Sequence, residues 1–273
     1  MSTESRICYR FEYLRANGSG KAFVPYLTAG DPDIETTRAL ARMLERRGAD
    51  VLELGVPFTD PIADGPVNQR AAQRALERGV RPADVLALVR ELRGAGFGLP
   101  IVLFTYSNPL LRLLGEAGEA GYARALLGVD GVLVTDLPPE EADPHVRACR
   151  GAGIDTIFLA SPTTPEPRIP ALVAASSGFL YYVSSAGVTG ARSELPSDLE
   201  GQIARIRPHS AARQLPLCVG FGIASREVAA RVCSVADGFV VGSALSAVIE
   251  RAVAECRDPV VAAEAFVEAV DPR

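Results

Sequence analysis

"LCVGFGIASREVAARVCSVADGFVVGSALS", residues 217–246, holds two short apolar runs, 217–222 and 238–242, on either side of a segment with helical period. Ser225 is placed to cap that segment, and Val228 and Val232 fall on one face four residues apart. A second helix is expected to begin near Gly242 and Ser243. Strand, helix, strand and helix in so short a space is the pattern of parallel strands joined by helical crossovers.

The same unit recurs along the chain. Eight runs read as strands: "AFVPYLT" (22–28), "VLELG" (51–55), "IVLFTY" (101–106), "GVLVT" (131–135), "TIFLA" (156–160), "FLYYVS" (179–184), "LCVGFG" (217–222) and "GFVVG" (238–242). Between them Asp31 or Asp33 caps a helix whose Leu40, Met43 and Leu44 form an apolar stripe ending at Gly48. Pro82 opens another, with Val85, Leu88 and Leu92 on one face. Eight strand and helix repeats fit a closed (β/α)8 TIM barrel better than an open doubly wound sheet. One domain is expected over residues 1–273. "ESRICYRFEYLRANG" (4–18) reads as an extra N-terminal helix plugging the bottom of the barrel, and "DGPVNQRAAQRALERG" (64–79) adds a helix after the second strand. A short extra helix is expected after strand 8.

Composition limits the function. Apolar residues make up 48% and charged residues 22% of the chain, ordinary values for a soluble globular protein. A net charge of −5 with scattered basic residues argues against nucleic acid as a partner. The start "MSTESRICYR" has no apolar core of a signal peptide, and no apolar stretch is long enough to span a bilayer, so no membrane role and a cytoplasmic location are expected. Cys8, Cys149, Cys218, Cys233 and Cys256 are widely spaced with no C-x-x-C, and read as small buried or semi-buried side chains without metal. His145 and His209 both fall in charged helical stretches and read as parts of solvated faces, which leaves chemistry without histidine.

In this fold the working face is at the C-terminal ends of the strands. Glu53 interrupts an apolar strand there, sharing a side with Val51 and Gly55 while Leu52 and Leu54 point to the other. Asp60 and Asp64 follow in a loop stiffened by Pro57, Pro61 and Pro66. Two readings stand. The glutamate is a core residue satisfied by neighbouring hydroxyls or a lysine; or it is half of a pair of acid/base groups whose unlike surroundings push their pKa values apart.

Glycines beside small residues end the last three strands, in "SSAGVTGARS" (184–193), "GFGIAS" (220–225) and "VGSALS" (241–246). Backbone N–H groups at such turns, with a helix N-terminus at Gly242 and Ser243, suit an anion at the phosphate position of the barrel fold. Tight turns alone would use the same residues. Gly187 and Gly190 could hinge the first of these segments as a lid over the site, with Thr189 offering a hydroxyl; a plain surface loop is the alternative.

"FVPYLTAGDPD", "LELGVPFTDPIADGPVNQRA", "YYVSSAGVTG", "GFGIAS" and "VVGSA", in this order and at these separations, resemble the tryptophan synthase alpha chain family over nearly the whole sequence. The resemblance implies retro-aldol cleavage of indole-3-glycerol phosphate to indole and glyceraldehyde 3-phosphate, with no cofactor in this chain. It makes Glu53 the acid/base and Asp64 the carboxylate at the indole N–H. Gly190, Gly222, Gly242 and Ser243 match the phosphate ligands, and Thr189 the lid residue that orders Asp64. Tyr26, Phe104, Leu133, Leu159, Tyr181, Phe221 and Val240 correspond to the indole wall, where plain core packing is the other reading.

The implied partner is a pyridoxal-phosphate beta chain in an alpha2-beta2 tetramer, met through Pro57, Asp60, Asn108, Asp136 and Pro138. Pyridoxal phosphate is then expected only in that partner. Tyr26 stands where the family often has phenylalanine and Ser185 where it often has arginine, departures that bear on pocket shape and lid. Three other readings remain: a stand-alone lyase, a catalytically idle barrel that activates a beta chain, and another sugar-phosphate barrel enzyme, which would lack "ELGVPFTDPIADGP".

Overall fold

Among the described residues nine strands, all parallel, follow one another around the barrel: β1 Ala22–Thr28, β2 Leu52–Gly55, β3 Ile101–Thr105, β4 Gly131–Val134, β5 Asp155–Ile157, β6 Leu159–Ala160, β7 Leu180–Val183, β8 Leu217–Gly220 and β9 Gly238–Val241. The computed structural model describes residues 5–18, 20–114, 121, 124–183, 197–220 and 222–273. Strand order is β5-β4-β3-β2-β1-β9-β8-β7-β6. The two ends of that order are halves of one run, parted at Phe158, whose carbonyl accepts from Tyr181 N–H at 3.0 Å. β5 pairs with β4 and β6 with β7, so the fifth expected strand is split and the barrel closes through it.

Side chains alternate around this sheet as a half-turn period requires. Phe23, Leu27, Leu52, Leu54, Leu103, Val132, Tyr182, Val219 and Phe239 face outward into one cluster with the helices. Val24, Val51, Val102, Leu133, Ile157, Phe179, Cys218 and Val240 face inward into a second cluster. Ile7, Phe11 and Leu14 of the N-terminal helix Arg6–Ala16 join that inner cluster, which makes the helix the expected plug. Ser5 caps it, and its Phe11 ring lies 6.0 Å from that of Phe179.

Aspartates secure the plugged end of the barrel. Asp50, Asp130 and Asp237 each stand just before a strand and accept the N–H of Phe23, Ile101 and Leu217, at 2.7, 2.7 and 2.8 Å, near the start of the neighbouring strand. Each is also paired with arginine: Asp50 with Arg10 and Arg273, Asp130 with Arg93, Asp237 with Arg207. Arg10 belongs to the plug helix and Arg273 ends the chain, so Asp50 joins plug, first strand and C-terminus.

Expected helices are present. Asp33, rather than Asp31, caps Ile34–Arg46; Pro66–Glu77, Pro82–Gly94 and Arg226–Val235 follow, the last capped by Ser225. The helix after the last strand runs three turns, Ser243–Ala254, and Pro259–Val270 packs on it. His145 corrects an expectation: it is buried with Ala148 and Cys149 on the inner stripe of helix Asp143–Ala152, and burial lowers its pKa to about 4. Spacing of i, i+3 and i+4 put it there despite its charged neighbours. Cys256 is exposed, whereas the other four cysteines are buried or half-buried. Among the described residues no helix is long and apolar enough to cross a membrane.

Asp50 is fully buried at the meeting of two guanidinium groups and a strand N–H. Asp50→Ala is expected to lower the unfolding free energy by roughly 3–5 kcal/mol, since it strands buried partners. Urea denaturation with an unchanged m-value, and unchanged turnover per folded molecule, would check this.

Candidate active site

Glu53 lies on the inner side of β2, paired in register with Tyr26 of β1 and Val102 of β3. It is 1% exposed, and neither carboxyl oxygen meets a donor among the described residues. Removal from water without compensation disfavours the charged form, and its pKa rises from 4.5 to about 8. The carboxyl group is therefore mostly protonated at neutral pH.

Aromatic rings form the walls around it. Tyr26 and Phe104 meet edge to face, 5.3 Å between centroids, and Tyr181 lies on the same pocket. Two glycines make room for the tyrosines: a Cβ on Gly55 would lie 2.2 Å from the Tyr26 hydroxyl, and one on Gly220 would lie 2.0 Å from that of Tyr181. Those contacts fix the width of the barrel mouth, because any side chain on either glycine would displace a ring. Thr28 Oγ1 donates to the Tyr26 hydroxyl at 3.3 Å.

Asp64 occupies a different environment at the end of the loop after β2. Tyr106 Oη donates to its Oδ2 at 2.6 Å, Asn68 hydrogen-bonds its side chain, and Gln69 Nε2 donates to its backbone carbonyl at 2.8 Å. The Tyr106 hydroxyl in turn accepts from Ala63 N–H at 3.1 Å, and its ring lies 5.1 Å from that of Phe58. Burial raises the Asp64 pKa while the Tyr106 and Asn68 hydrogen bonds oppose the rise. Gly65 and Pro66 then start helix Pro66–Glu77, placing Asp64 beside a helix N-terminus.

Gly222, Gly242 and Ser243 line the pocket that holds Glu53 and Asp64. Gly222 has φ 76°, a left-handed conformation suited to glycine. Helix Ser243–Ala254 has no side-chain cap at Gly242, so its first N–H groups are available to an anion. Arg74 holds the two helices together: it pairs with Asp31 through two bonds of 2.7 and 2.9 Å and with Glu250 at 2.7 Å, and Arg70 grips Glu250 from the same helix.

Tyr26, Phe104, Tyr181 and Val240 line the pocket, joined by Ala63, Asn68 and Ile223. Leu133 lies in the inner cluster and Leu159 is half-buried on a neighbouring depression with Asp136 and Pro138. Gly190, Thr189 and Phe221, with Ser185 and Gly187, are outside the described residues. Asp60 is exposed on the far side of its loop, in a groove with Pro57 and Asn108; Pro57 itself is buried. Sequence reasoning missed Tyr106 and Asn68. An aromatic residue closing a barrel strand on the working face was the available signal for Tyr106. Among the described residues no cluster of three or more His, Cys, Asp or Glu could hold a metal ion.

Fold and site define a (β/α)8-barrel enzyme with a buried acid and an uncapped helix N-terminus at one mouth. The family model for the tryptophan synthase alpha chain matches residues 11–271. The alpha chain of Opitutus terrae is 47% identical over 243 residues, 88% of each chain, and that of Laribacter hongkongensis 46% identical over 254 residues, 93% of this chain and 94% of its own. The crystal structure of the alpha chain from Legionella pneumophila superposes with a TM-score of 0.85 at 41% identity, covering 97% of this chain and 95% of that one. A tryptophan synthase structure from Mycobacterium tuberculosis gives 0.82 at 37% identity, with 96% and 98% covered. The chain belongs to the tryptophan synthase alpha chain family. It is a carbon–carbon lyase of tryptophan biosynthesis that cleaves indole-3-glycerol phosphate.

The Glu53 environment has a cost that depends on pH. An acid whose pKa is higher in the folded state keeps its proton there while the unfolded chain gives it up near 4.5, so stability falls as pH rises from about 4.5 to about 8 and levels off above. At about 1.4 kcal/mol per unit the fall is on the order of several kcal/mol. Glu53→Gln is expected to remove it, leaving the variant more stable than the parent at pH 8 and similar at pH 4; thermal melts across that range would check the sign.

Proposed function

We propose that Glu53 is both acid and base of the cleavage. Its neutral form gives a proton to the indole ring carbon that bears the glycerol chain, and the carboxylate so formed takes the proton of the adjacent hydroxyl. The O–H electron pair becomes the carbonyl bond of glyceraldehyde 3-phosphate, the carbon–carbon pair returns to the ring, and Glu53 ends protonated. Asp64 accepts from the ring N–H, where positive charge develops once the ring carbon is protonated. The first N–H groups of helix Ser243–Ala254, with Gly222 and Gly242, hold the phosphate.

The observation that carries this reading is Glu53, buried with neither oxygen partnered among the described residues and beside an anion-binding helix terminus. A core glutamate of purely structural purpose would be expected to have donors. Tyr26, Phe104, Tyr181 and Val240 supply the apolar walls for the indole ring, and Leu133 packs in the inner cluster with Tyr181 and Val240.

We further propose that this chain works in the cytoplasm in an alpha2-beta2 tetramer with a tryptophan synthase beta chain, which holds the pyridoxal phosphate. Ile62 and Leu111 are 75% and 64% exposed beside the grooves that carry Pro57, Asp60 and Asn108, and exposed large apolar side chains beside a groove mark an interaction surface. Asp136 accepts from Ser107 N–H at 2.7 Å and so joins that surface to Asn108's helix, with Pro138 beside it.

Glu53→Gln is expected to lower indole-3-glycerol phosphate cleavage about 10²- to 10⁴-fold with the fold retained; an unchanged rate would leave the acid/base role without support. Ser243→Asp, which sets a negative charge at the helix terminus, should raise KM about tenfold or more with a smaller change in kcat. Turnover measured with and without a beta chain separates a dependent subunit, slow alone, from a stand-alone lyase.

A further inference from the structure

Three buried oxygen atoms meet no donor among the described residues: both of Glu53 and Oδ1 of Asn68. The proton transfers account for the first two. Asn68 lies in the first turn of helix Pro66–Glu77, 7% exposed, and lines the same pocket. The other buried positions on that helix are Ala71, Ala72 and Ala75, so an amide is the one costly group on an otherwise alanine face. A buried carbonyl oxygen without a donor is destabilising, because it gives up its hydrogen bonds to water and gains none. An apolar residue there would avoid that cost.

The side chain does form one hydrogen bond, to Asp64. A carboxylate can only accept, so the amide nitrogen donates to it, and the amide oxygen is the end left facing other partners. The substrate offers three donors: the ring N–H and two hydroxyls. The hydroxyl beside the ring goes to Glu53 in the reading above, and the ring N–H goes to Asp64, the group that Asn68 touches.

We propose that Asn68 is a second recognition group for the indole N–H, its amide nitrogen holding Asp64 and its Oδ1 sharing the one ring hydrogen with Asp64 in a three-centre bond. The inference rests on the indole-3-glycerol phosphate reading of the pocket. As the ring carbon is protonated the N–H becomes more acidic, and a bond to Oδ1 strengthens in the transition state without adding a second negative charge beside Asp64. Asn68 thereby selects rings that carry a donor at this position.

The test compares two ligands without glycerol hydroxyls: indole-3-propanol phosphate, and its benzothiophene counterpart with sulfur in place of N–H. Asn68→Leu, which keeps the volume and loses both polar ends, should weaken binding of the indole ligand about tenfold and leave the benzothiophene ligand within about twofold. The same difference should persist in an Asp64→Ala background, because Oδ1 touches the ligand itself. Equal losses on both ligands, no loss on either, or a difference that vanishes without Asp64 would each overturn the inference. Wild-type protein that cleaves indole-3-glycerol phosphate but shows one of those patterns refutes the role of Asn68 alone; wild-type protein that binds neither ligand refutes the reading of the pocket with it.

Discussion

A closed parallel sheet leaves each strand residue only two directions, toward the helices or toward the other strands across the barrel. That constraint decides what Glu53 is. With Leu52 and Leu54 committed to the outer cluster, Val51, Glu53 and Gly55 must face inward, and no rotation of the strand can return the carboxylate to bulk water without exposing two leucines. Burial and the raised pKa follow from pairing register rather than from any dedicated partner.

The two ends of the barrel treat carboxylates in opposite ways. At the plugged end Asp50, Asp130 and Asp237 each have an arginine and a strand N–H, and they serve to fasten neighbouring strands. At the open end no arginine or lysine lines the pocket among the described residues, and the donors there include the uncapped backbone N–H groups that begin helix Ser243–Ala254. A guanidinium beside Glu53 would hold it ionised and end its use as an acid. A helix terminus can attract a phosphate while contributing only a partial charge at that distance.

Most of this architecture was legible because it rests on local periodicity. Apolar runs, the Ser225 and Asp33 caps and the alternation around Glu53 are properties of short segments, and each reappears in the structure. What escaped depends on contacts between distant segments. The break at Phe158 follows from which strand lies on each side, and the aspartate ring needs arginines from other elements, up to the last residue of the chain. His145 was hidden by charged neighbours that point elsewhere. Tyr106 matters through one hydroxyl that reaches a loop 42 positions away in sequence.

That hydroxyl also shows how the loop after β2 can serve two faces. Its outer side exposes Asp60 and Ile62, and its inner end carries Asp64. Between them Tyr106 bonds both Ala63 and Asp64 and lies against Phe58, so the loop cannot shift as a body without moving a partner of the Asp64 carboxyl group. The other end of helix Pro66–Glu77 is not free to follow, because Arg70 and Arg74 fix it to Glu250 and Asp31. Between these anchorages lies the stretch from Pro57 to Pro66, whose inner end is tied to Tyr106 through Ala63 and Asp64.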